Sequence, residues 1–198
     1  DRSVSEVLRQ PLEERVVHIT RVSGTVTYPC SFILVCAMNP CKCGYYGHAS
    51  KPCTCTPKAR LAYTTKISGP LLDRIDIHVE VPALDYGELS RTEPAEPSAE
   101  IRRRVIAARE YAAERTDGAV TCNGLMTPSD IRRFCRMDES GGKLMQTAYD
   151  KFALSARAYD RILKVARTAA DFDKSEIIRK EHIGLALQLR SMNKKYWQ

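Results

Sequence analysis

Four cysteines crowd one short stretch of the chain, as Cys41-x-Cys43 and Cys53-x-Cys55, with Gly44, Gly47 and Pro52 between the pairs. Four thiolates on one glycine-rich loop match a closed tetrahedral zinc site, with no open position for catalysis. The loop has almost no apolar content, so bound metal would supply its folding energy outright. His48 is a fifth donor able to replace one cysteine. The Cys-x-Cys pairs are tighter than the usual finger spacing, and free thiols or a disulfide clip are the alternatives.

Three further side chains have the chemistry to meet a phosphate. Asn39 ends the apolar run Phe32–Met38. Ligands of open parallel sheets sit beyond the carboxyl ends of the strands, and an amide there can orient a water toward a γ-phosphate. Asn39-Pro40 is also an ordinary turn dipeptide. Arg74 follows Leu71-Leu72-Asp73. Its charged fork can stabilise phosphoryl transfer in a neighbouring subunit, or simply pair with Asp73. Arg157 lies two residues after Ser155, a candidate helix cap. A cation in a first helical turn opposes the helix dipole, and a bound phosphate would offset that cost. Exposed arginines occur in first turns without any ligand. A fourth residue, Arg21, falls near the tip of an expected hairpin, with Arg15 and His18 nearby. It can meet nucleic-acid phosphates or remain solvated.

The elements that must position these groups follow from periodicity. Val4, Val7, Leu8 and Leu12 predict a helix over 2–10, with Pro11 near its end. Residues 16–22 and 25–28 alternate around Ser23-Gly24 and predict a β-hairpin. The run 32–38 reads as a strand buried on both faces of a parallel sheet. Residues 75–81 alternate as another strand, and 40–57 cannot be regular. Beyond a proline-rich linker at 83–97, everything reads as helical. Helices are expected over about 98–115, from Thr127-Pro128-x-Asp130, around Leu144, Ala148 and Phe152, after Ser155, and around Ile183 and Leu187. The fold class is α/β plus all-α, with 1–82 as the end of an α/β core and 98–198 as a helical bundle.

Composition narrows the function classes. Of 198 residues, 43% are hydrophobic and 28% charged, which suits a folded chain rather than a disordered one. No apolar run is long enough to span a membrane, and the first residues do not form a secretory leader. Eight cysteines of uneven spacing suit a reduced, cytoplasmic protein better than a secreted disulfide scaffold. Net charge is +7, with arginine clusters at 102–104 and 132–133, compatible with phosphate partners or with solvated helix faces.

Several segments occur in an order that resembles one family. They are Arg9-Gln-Pro-Leu-Glu13, His18-Ile-Thr-Arg-Val-Ser-Gly24, Ala37-Met-Asn-Pro-Cys41, Cys43-Gly-Tyr-Tyr-Gly47, Ile67-Ser-Gly-Pro-Leu-Leu-Asp-Arg-Ile-Asp76 and Leu154-Ser-Ala-Arg-Ala-Tyr-Asp-Arg-Ile-Leu-Lys-Val-Ala-Arg-Thr168. Nearly the whole chain resembles the magnesium-chelatase-like AAA+ ATPases of the ComM/YifB type. The resemblance implies Asn39 as sensor 1, Arg74 as arginine finger and Arg157 as sensor 2 of a helical lid. It implies that the 16–28 hairpin is a pre-sensor-1 insertion with Arg21 toward DNA. It further implies ATP and Mg as cofactors, a homo-hexameric ring of neighbouring subunits, and branch-migration activity on DNA. No Gly-x-x-x-x-Gly-Lys-[Ser/Thr] loop occurs here, so the chain is expected to be a C-terminal portion following Walker B, inactive by itself. A magnesium-chelatase ATPase subunit and a non-enzymatic zinc-containing DNA-binding module are the competing expectations.

Overall fold

The computed structural model describes residues 2–48, 50–82, 84, 86–90 and 94–190. These fall into two compact units, one up to His78 and one from Val79 onward.

The first unit opens with two short helices, α1 (Arg2–Val7) and α2 (Arg9–Glu14). The expected end at Pro11 is displaced. The helix restarts at Arg9, so Pro11 falls in a first turn, where its missing N–H costs nothing. Arg15 leaves α2 in the left-handed conformation (φ 56°), and its carbonyl accepts from the Cys30 amide at 2.7 Å. That bond closes the base of an antiparallel hairpin, β1 (Val16–Arg21) and β2 (Gly24–Pro29), in the register Val16↔Pro29 to Arg21↔Gly24. Val22 and Ser23 form the turn, Gly24 (φ 138°) opens β2 directly after it, and His18–Thr27 and Thr20–Thr25 side-chain pairs tie the strands together.

The parallel strands expected at 32–38 and 75–81 are not formed. Among the described residues the hairpin is the only sheet. Ile33 and Val35 are 90% and 87% exposed rather than buried. A strand's hydrogen bonds must come from a neighbour, and no described segment pairs with either run. After the cysteine loop come α3 (Pro57–Thr64) and α4 (Gly69–Leu72), capped by Thr56 and Ser68, each followed by a proline or a Gly-Pro start.

In the expected linker, residues 83, 85 and 91–93 lie outside the described residues. The short helix α5 (Tyr86–Leu89) falls within the rest. Helices α6 (Ser98–Arg115), α7 (Pro128–Phe134), α8 (Glu139–Phe152), α9 (Ala156–Phe172) and α10 (Lys180–Gln188) then build the second unit, with a 3₁₀ turn at Asn123–Leu125. Thr127 and Asp130 form a reciprocal capping box, Asp138 caps α8, and Ser155 caps α9 through the Ala158 amide. Ile162, Ala166 and Ala170 from α9 meet Ile183 and Ala186 from α10, with Met145, Ile131 and Ile178 completing the core. A bridge between Met137 and Ile178 brings the α8 start against that core. Gly141 sits close under that cap: an added Cβ would lie 2.8 Å from the Asp138 carboxylate, which would have to shift.

Candidate metal centre

The cysteine loop is organised by two tight turns and by the helix that follows it. Gly44 (φ 86°) and Gly47 (φ 83°) take left-handed conformations, which only glycine adopts freely. The Gly44 amide donates to the Cys41 carbonyl, and the His48 amide to the Tyr45 carbonyl, each at 3.1 Å. At the far end, Arg60 of α3 donates from Nη1 to the Cys55 carbonyl at 3.0 Å.

These turns bring the four sulfurs together. The Cys41, Cys43 and Cys53 sulfurs lie 3.3–3.7 Å apart, and all four, with Cys55, lie within 4.8 Å of one another. None is in a disulfide, whose bond would be about 2.05 Å. A tetrahedron with metal–sulfur bonds of about 2.3 Å has edges of about 3.8 Å, so the spacing fits a tetrahedral thiolate centre able to hold a metal ion. Cys41 is fully buried. A backbone hydrogen bond from Tyr45 brings the Cys43 thiol down to about 5, against desolvation and with help from Cys41. At Cys55, a backbone hydrogen bond from Cys43 acts downward. The Cys43 side chain, desolvation and Cys41 outweigh it and hold the thiol at about 11. Cysteine binds metal as thiolate, so the metal affinity of the centre is proton-linked. His48 does not join the sulfurs: its Nδ1 accepts from the amides of Ser50 and Lys51, so four cysteines suffice.

Asn39 is exposed at the mouth of this loop, its amide against Gly44, where an added Cβ would sit 3.9 Å from Nδ2. Arg74 is buried, with its side chain 8% exposed, donating to the Pro70 carbonyl at 2.8 Å and to the Glu13 carboxylate. Arg21 is exposed at the end of β1. Arg157 belongs to the second unit, where it is exposed in the first turn of α9. In that unit a cleft of about 400 Å³ is bordered by Ile131, Arg132, Cys135, Tyr159 and Asp160.

Sequence reasoning missed two features. Asp171 is 1% exposed and sits between Arg115 and Arg167, accepting from both guanidinium groups at 3.0 Å and from the Asn123 amide at 2.6 Å. Burial lowers the Arg167 pKa, and Asp171 counters that. The i,i+4 spacing of Arg167 and Asp171 is legible in the sequence, but their burial is not. The second feature was legible throughout. Residues 15–72 contain no Asp or Glu and seven of the 31 Lys and Arg. The remaining 24 cations and 24 anions cancel, so the net +7 belongs to that segment, not to the arginine clusters at 102–104 and 132–133.

Residues 1–89 match the family model "Magnesium chelatase, subunit ChlI", and residues 95–190 match "Magnesium chelatase, subunit ChlI C-terminal". The chain belongs to the magnesium-chelatase-like family. It is 38% identical over 196 residues to the uncharacterized protein YifB of Escherichia coli, covering 98% of this chain and 38% of that protein. To the competence protein ComM of Haemophilus influenzae it is 37% identical over 193 residues, 97% of this chain and 37% of that protein. An uncharacterized protein of Mycobacterium tuberculosis is 36% identical over 170 residues, 85% of this chain and 33% of its own length. The chain thus spans just over a third of the length of YifB and ComM. Among the described residues, no helix is long and apolar enough to cross a membrane.

Proposed function

We propose that the protein to which this chain belongs is an ATP-driven, ring-forming motor that acts on DNA in the reduced cytoplasm. The chain contributes Asn39 as the residue that senses the γ-phosphate, Arg74 as the finger toward a neighbouring subunit and Arg157 as the lid arginine. Mg would accompany the nucleotide, and Cys41, Cys43, Cys53 and Cys55 would hold a structural zinc. The likeness to a competence protein supports a DNA substrate. The observation that carries the proposal is the charge distribution: the whole positive excess lies in the segment that includes the hairpin with exposed Arg21. A basic, acid-free segment favours phosphate backbones over neutral substrates.

In the isolated chain Arg74 is engaged by Glu13, so the finger role requires that pair to open at a subunit boundary. Arg74→Lys tests this, because it keeps a cation for Glu13 but loses the planar fork. In the full protein, DNA-stimulated ATP hydrolysis should fall by about 10³-fold with nucleotide binding and melting temperature retained. Wild-type turnover in that variant overturns the finger. A lost fold with it assigns Arg74 to packing of the first unit.

A second proposal follows from the family descriptions, which name a magnesium chelatase subunit. The ATPase would then drive magnesium insertion into a tetrapyrrole with partner subunits. ATP-dependent chelation by the full protein, with no stimulation by DNA, would select it.

A further inference from the structure

We propose that the cysteine loop is itself a docking surface for single-stranded DNA, with Tyr45 and Tyr46 as stacking platforms, Lys51 and Arg60 as the cations against them, and Lys42 as a further cation of the same loop. This rests on the DNA-motor proposal and deepens it by naming a surface and a strand form. The two adjacent tyrosines are 39% and 37% exposed, on a loop with no apolar core of its own. Their backbone is nevertheless ordered by the two glycine turns and the converging sulfurs. Binding through them therefore costs little conformational entropy.

Each ring is already dressed with a cation. Lys51 Nζ lies 5.3 Å from the Tyr45 ring centroid, and His48 meets the same ring edge-on at 5.8 Å. The Arg60 guanidinium lies 4.4 Å from the Tyr46 centroid and is pinned by its bond to the Cys55 carbonyl. The Arg60 guanidinium covers one face of the Tyr46 ring, so a base would stack on the opposite face with a phosphate contact beside it. Four thiolates around a dication carry about −2, which leaves the acid-free segment 15–72 positive. Stacking demands unpaired bases, because bases within a duplex already cover one another's faces. It tolerates any sequence, because every base has a π-face.

The test is fluorescence anisotropy of the full protein with a labelled oligothymidylate and with a duplex of equal length, at two salt concentrations. Tyr45→Ala with Tyr46→Ala should weaken oligothymidylate binding by about thirtyfold or more, and duplex binding far less. Tyr→Phe at both positions should retain binding. Lys42→Gln with Lys51→Gln should flatten the salt dependence. Metal content is measured for each variant. A Tyr→Leu pair, which keeps bulk and loses the π-face, stands in if the alanine pair loses metal. Unchanged oligothymidylate affinity in a metal-loaded alanine or leucine pair overturns the inference, as does equal weakening toward duplex. If binding instead collapses only with Arg21→Ala, the loop inference fails while the DNA motor stands. Absence of both DNA affinity and ATP hydrolysis in the unmodified protein removes the motor proposal itself.

Discussion

Residues 98–190 bury Ile162, Ala166, Ala170, Ile178, Ile183 and Ala186 to 1% exposure or less, whereas 32–38 leaves Ile33 and Val35 almost fully open. Cysteine illustrates the same contrast. Cys135 sits in the helical core, its thiol pushed up to about 11 by desolvation and 3.8 Å from Met126 sulfur, as a small apolar filler. Cys41 is equally buried, yet its neighbours are other sulfurs. Helices complete their hydrogen bonds within themselves and need only an apolar face to dock. The loop has neither, so its order comes from the sulfur centre and two glycine turns.

The sharpest way to break that contrast is metal removal. A strong chelator should accelerate amide exchange throughout 41–55 while leaving the α9 and α10 amides protected, because structural zinc contributes on the order of 10 kcal/mol to such a loop. Unchanged exchange in the loop would show that its turns suffice without metal. A smaller effect lies in the helical unit. Asp171→Ala leaves two buried guanidinium groups facing each other without their carboxylate, and should cost about 3–5 kcal/mol in denaturant titration. Metal stoichiometry should be unaffected. The smallest effect sharpens the capping argument. The Thr127 hydroxyl and amide lower the Asp130 pKa below its ordinary 3.8, so its stabilising effect is present above that value and is lost as pH falls through the depressed one. Asp130→Ala should therefore lower the melting temperature at pH 7, and the difference should vanish in strong acid. A difference that persists there would assign the effect to something other than the carboxylate.

The helical unit was legible because its signals are local. Thr127-Pro128-x-Asp130 and Ser155 mark helix starts, and α9 buries Ile162, Ala166 and Ala170 at helical spacing. The hairpin was equally clear, since Ser23-Gly24 and two alternating runs require only each other. The runs at 32–38 and 75–81 misled because an apolar or alternating pattern specifies what a strand wants to cover, not what pairs with it. Sequence spacing grouped the four cysteines but overvalued His48, whose ring is turned to the Ser50 and Lys51 amides.

By itself the sequence determined the family, the helix starts, the hairpin, the cysteine set and the location of the positive charge, because each is encoded in types and spacings within short segments. Only tertiary structure decided that Arg74 lies against Glu13, that Asp171 is shared by two arginines, and that Tyr45 and Tyr46 stand exposed beside Lys51 and Arg60. Burial and pairing are properties of residues brought together from distant positions. Glu13 and Arg74 lie 61 residues apart, and Arg115 and Asp171 lie 56 apart, beyond the reach of any local pattern.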